Sequence, residues 1–211
     1  METNSIREQT AGKVGHLGYQ FNPDLPLLGP VTITRHPKEI LGRILVLHAC
    51  VACAFGFPKQ RALKWLEDEH ITGHITKSED QFLHSESDLI TTKYQWRVEA
   101  LWCLCWIGGY HSTLDFSKPC SNTMVEMLPD LKLNAPSNEF RQNYNLRNTD
   151  EIVKMLDLTY CLHWAVREEQ ILGISQKGKT EKVQGQVIEE RRRALEWVVG
   201  KEAWEDISMD T

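Results

Sequence analysis

Apolar positions recur at helical spacing along most of the chain, and runs of strict alternation are scarce. The first strong run opens at Pro37, a residue suited to the first helical position, with Glu39 in the first turn. It continues to about Ala54, where Gly56 and Pro58 stop it. A second helix is predicted from Pro58 to about Glu69, with Ala62, Trp65 and Leu66 on one side. Thr76 and Glu79 have the spacing of a capping box and introduce a short helix carrying Phe82 and Leu83. A fourth helix is predicted over Leu89–Ile107, ended by Gly108-Gly109. Its second half, ALWCLCWI, is apolar all round, which places it at the centre of a core.

Residues 110–148 carry the weakest pattern, with a short helix at Asn122–Leu128 followed by a loop rich in proline and asparagine. Asn148 and Glu151 repeat the capping spacing before a long helix to about Leu172, with Ile152, Met155, Thr159, Leu162 and Val166 on one face. Gly173–Thr180 reads as a basic loop. A last helix is expected over Glu181–Val199, with Val187, Ile188, Ala194, Leu195 and Val198 inward, then a terminal turn holding Trp204 and Ile207. Residues 1–15 read as a flexible tail. Residues 16–33 contain too many prolines and glycines for a helix, and Leu17, Tyr19 and Phe21 suit a short hairpin-like piece. The expected fold is mainly α: a single compact helical domain over residues 16–211, opened by a short irregular or hairpin-like segment.

Composition narrows the function classes. The chain has 211 residues, 41% hydrophobic and 25% charged, which suits a globular domain. A net charge of −5 gives no basic field for nucleic acid. The longest apolar stretch, Ile44–Phe57, is too short to span a bilayer. The polar N-terminus lacks a signal-peptide core, so the expected location is cytoplasmic, with all six cysteines reduced.

Several motifs resemble chemistry without its context. GISQKGKT, Gly173–Thr180, satisfies the phosphate-loop pattern, yet that chemistry needs a buried strand before it, and the preceding HWAVREEQIL is an amphipathic helix. Cys50 and Cys53 share a helix face and could hold zinc, but a second ligand pair is missing, so no metal and no cofactor are expected. Cys161 and His163, two apart on one helix, do not face each other as a catalytic pair. Arg191, Arg192 and Arg193 are flanked by Glu189, Glu190 and Glu196 and read together as a solvated helical face. The seven tryptophans fall in predicted helices and read as core and groove lining.

Charge on apolar faces is the subtler signal. Arg43, Glu99, His163 and Arg191 lie on or beside the apolar stripes of four predicted helices. Buried charges must pair or coordinate something. We therefore expect a polar network in which Glu99 accepts bonds from Arg43, Arg191 or both. A structural network is one reading; a site using Glu99 and His163 as acid and base is the other.

The blocks PKEILGRILVLHAC, YQWRVEALWCLCWIGG, LDLTYCLHWAVREE and VIEERRRALEWVV, in that order and closed by WEDISMDT, resemble the family called domain of unknown function 4272, over about residues 25–211. The resemblance implies a mostly helical, cytoplasmic and chiefly bacterial domain. It implies no activity and carries over no catalytic residue. Two function classes follow. One is a non-catalytic protein-binding domain, such as an immunity protein that neutralises a toxin or effector, for which an acidic surface suits a basic target. The other is an enzyme with an inter-helix pocket around Glu99 and His163. The expected partner is a protein, with no nucleic acid and no membrane; the pattern leaves the oligomeric state open.

Overall fold

The computed structural model describes residues 3–87, 90–173 and 185–210. Among them lie eight α-helices: α1 (Thr3–His16), α2 (Pro37–Ala54), α3 (Lys59–Asp68), α4 (Lys77–His84), α5 (Thr91–Ile107), α6 (Asn138–Gln142), α7 (Thr149–Ile171) and α8 (Gly185–Val199). Three 3-10 segments, Thr72–His74, Asn122–Met127 and Leu131–Leu133, complete the regular structure, and no strand occurs among the described residues. The mainly α fold read from the sequence is the observed one. The described helices include none long and apolar enough to cross a membrane. The phosphate-loop match lies outside the described residues beyond Gly173, as do Leu89 and residues 181–184 of the expected helices.

The chain forms two compact units. The first contains Met1–Thr34, Leu114–Pro119 and Arg147–Thr211; the second contains Arg35–Thr113 and Cys120–Leu146.

In the first unit α7 is the axis, packed by α1 on one side and α8 on another. Asn148 caps α7 by accepting from the Asp150 amide at 2.8 Å, and Asp150 and Glu151 favour its positive end. Ile152, Leu156, Leu162 and Val166 are buried along α7 as their spacing requires. The N-terminal stretch is a correction to the sequence reading. Residues expected to form a loose tail are a 14-residue helix, with Ile6 and Val14 buried and Arg7 and Thr10 bonded to Asp157 of α7. Polar pairs anchor this helix more than an apolar stripe does, so periodicity does not reveal it. Residues 17–36 are irregular, with Gly18 at φ +78° turning the chain out of α1.

In the second unit α2 lies along α5, and the two share the core. α2 starts and stops where the pattern places it, with Pro37 at its first turn and a capping box in which His36 Nδ1 accepts from Lys38 N and Glu39 Oε2 accepts from His36 N. Thr76 and Glu79 close the expected box at α4. The expected helix at Asn122–Leu128 is a 3-10 segment.

Candidate functional site

Each of the four sequence-derived residues is buried. Arg43 and Glu99 belong to the second unit, His163 and Arg191 to the first.

In the second unit Arg43 donates to Glu79 Oε2 at 2.6 Å. The same carboxylate oxygen accepts from the Thr76 amide at 2.9 Å, so Glu79 serves the α4 capping box and the buried ion pair together. Glu99, 2% exposed, accepts from the Cys120 amide at 2.8 Å and so ties α5 to the start of the 120–146 segment. His48 on α2 donates from Nε2 to the Pro129 carbonyl at 2.8 Å and meets the ring of Trp65 edge-on. Burial holds its pKa down at about 4, against the smaller opposing effect of that hydrogen bond. Cys50 and Cys53 are buried thiols on the same helix; desolvation raises both, Cys53 to about 12, which keeps them protonated and unreactive.

The first unit holds three buried arginines. Arg191, with no exposed surface, donates to the carbonyls of Asp115 at 2.5 Å and Lys118 at 3.1 Å, and stacks over Phe116. Arg192 donates to Nδ1 of His163 at 2.6 Å, to the Asp210 carbonyl at 2.9 Å and to Glu196 at 3.1 Å. Arg7 forks onto Asp157, with a closest contact of 2.8 Å, and reaches the Leu25 and Pro26 carbonyls. The basic run on α8 is therefore not the solvated face expected of it: Arg191 and Arg192 are interior, and their guanidinium groups fasten loops and the C-terminal segment. His163 is neutral, its Nδ1 lone pair taken by Arg192. Burial first, then Arg192, Arg167 and Arg193, bring its pKa down to about 4.

Arg7, Arg191 and Arg192 are buried together with the carboxylates of Asp157 and Glu190, so what the first unit shows to solvent is set by its remaining charges. The exposed side chains of the first unit include Glu8, Asp24, Asp150, Glu151, Glu205 and Asp206, against Lys13, Lys118, Arg167 and Lys201 among the described residues. Trp204 and Ile207 pin the segment after α8, with Trp204 edge-on to Trp197, and this turns Glu202, Glu205 and Asp206 outward. Among the described residues the exposed charge of the first unit is therefore acidic in balance.

The second unit carries an open hollow of about 1090 Å³, lined by His48, Phe55, Phe57, Val125, Leu128 and Leu131 among others. Phe55 is 66% exposed and Val125 65%. Periodicity could not find this surface, because Phe55 follows the last turn of α2 and Val125 lies in the segment with the weakest pattern.

A model described as Domain of unknown function (DUF4272) matches residues 7–207. The chain belongs to this family. No curated protein matches it and no solved structure matches it. The match begins at Arg7, within α1, so most of α1 belongs to the DUF4272 domain, whereas the first recognisable block of sequence starts at Pro37. Arg43, Glu99, His163 and Arg191 all fall within the DUF4272 span, and the family description attaches no role to them.

Proposed function

We propose that this DUF4272 chain is a non-catalytic, cytosolic protein-binding domain that presents an acidic surface to a basic protein partner. In its specific form it is an immunity protein that neutralises a bacterial toxin or effector. The observation that carries the reading is the exposed charge of the first unit, where among the described residues eight carboxylates are exposed against four Lys and Arg. A concentrated negative surface steers a basic partner and rejects like-charged ones. The state of His163 supports a structural role for the polar residues. An acid–base catalyst works best with a pKa near the ambient pH, and a ring held at about 4 with Nδ1 already engaged is a support for Arg192.

The test is co-expression with the protein encoded directly beside this gene. The reading predicts that the neighbour alone arrests growth and that this chain restores it through a complex weakened by salt. A harmless neighbour, or rescue without a complex, would contradict it.

A further inference from the structure

We propose that the hollow of the second unit is the surface on which a second copy of this chain docks. A two-fold interface must be complementary to itself, so that whatever one copy projects the same surface must receive. Phe55 projects beside the hollow, 66% exposed, and Phe57, Leu128 and Leu131 line the recess that takes the partner copy's ring. Val125, 65% exposed, adds a second exposed apolar side chain to the same lining.

The rim decides in favour of a second copy over a strongly charged partner. It carries two bases, Arg61 and Lys132, and two acids, Glu126 and Asp130. Arg61 is engaged locally: it donates to the Lys132 carbonyl at 2.9 Å and lies over the Phe57 ring. Asp130 is engaged too, accepting from the amides of Lys132 and Leu133 as an N-cap. Among the described residues Glu126 and Lys132 have no ion-pair partner. A two-fold axis sets Lys132 of each copy against Glu126 of the other and satisfies both, twice. The unit as a whole is balanced, with eleven Lys and Arg against twelve Asp and Glu, so two copies meet there without confronting like charge. The acidic surface assigned to a basic partner belongs to the first unit, and the two proposals stand or fall separately.

Sedimentation equilibrium over a concentration series, on the full chain, tests this. The expected result is a reversible dimer. Phe55→Asp weakens it by at least about tenfold, one apolar anchor being replaced by a charge. Glu126→Lys and Lys132→Glu each weaken it alone, and the double exchange restores it, because the swapped pair is again complementary. At concentrations where parent and variants are both monomeric their thermal melts match, since all three side chains face solvent. A monomer at every concentration up to the millimolar range overturns the proposal. So does a dimer indifferent to Phe55→Asp, or a double exchange no better than either single one. A monomeric chain that loses a heterologous partner on Phe55→Asp also overturns it, assigning the hollow to that partner.

Discussion

Arg192 holds its guanidinium 2.6 Å from Nδ1 of His163, so a permanent cation sits against a ring that accepts this bond only while neutral. Protonating His163 breaks the bond and sets two positive charges together in a buried place. Its pKa is lowered to about 4, and that of His48 likewise, against 6.5 in the unfolded chain. A lowered histidine pKa means that the unfolded state binds protons the folded state refuses. Stability is therefore fully present above pH 6.5 and drains away as pH falls towards 4. For fully buried His48 the loss at pH 5 is about 2 kcal/mol. Urea midpoints at pH 7 and pH 5 check this: the parent falls steeply, and His48→Gln and His163→Gln each flatten the fall.

Arg7 and Asp157 join α1 to α7 across 150 residues of sequence, with Thr10 adding a second bond to the same carboxylate. Asp157→Ala strands a buried guanidinium, which costs about 3–5 kcal/mol. Amide exchange in α1 then accelerates ahead of the rest of the first unit. An α1 as protected in the variant as in the parent would show that apolar packing of Ile6 and Val14 holds it instead.

Glu79 does two jobs with one oxygen. Glu79→Ala loses a cap worth about 1 kcal/mol and leaves Arg43 buried without this partner, at about 3–5 kcal/mol more. Thr76→Ala removes only the hydroxyl side of the box and is expected to cost about 1 kcal/mol. Equal losses in chemical denaturation of the two variants would mean that the ion pair contributes nothing.

The parts of this fold that rest on local rules were legible in the sequence. α2 has its proline start, its Glu39 and its glycine stop, and the α4 box is visible as Thr76 and Glu79. Features resting on distant pairing were not. The capping role of Glu79 can be read from a spacing of three, but its bond to Arg43 spans 36 residues and has no local signature. α1 was missed because its anchors are Arg7 and Thr10, which look like solvent-facing residues. Arg192 was missed because Glu189, Glu190 and Glu196 surround it in sequence, whereas in space its partners are His163 and the Asp210 carbonyl. Arg191 carries two conflicting signals, the basic run that reads as solvated and the apolar stripe set by Val187 and Leu195 one turn away, and its burial follows the stripe.

Glu99 separates the structural reading of the polar residues from the catalytic one. Its carboxylate is buried and accepts from the Cys120 amide, whereas Glu202 is exposed. Glu99→Gln is expected to lower the melting temperature more than Glu202→Gln, with partner binding weakened only as far as folding is. An unchanged melt with lost function would move Glu99 into an active site and favour the enzyme reading.

The most direct test of the account is the affinity of this chain for the protein encoded beside it, measured by titration calorimetry at about 50 and 500 mM salt. The triple variant Glu202→Lys, Glu205→Lys, Asp206→Lys is measured in parallel. Acidic docking predicts a complex that weakens strongly with salt and weakens further in the variant, while the variant's melt stays close to the parent's. A complex insensitive to both salt and charge reversal, or no complex at all, would contradict the account.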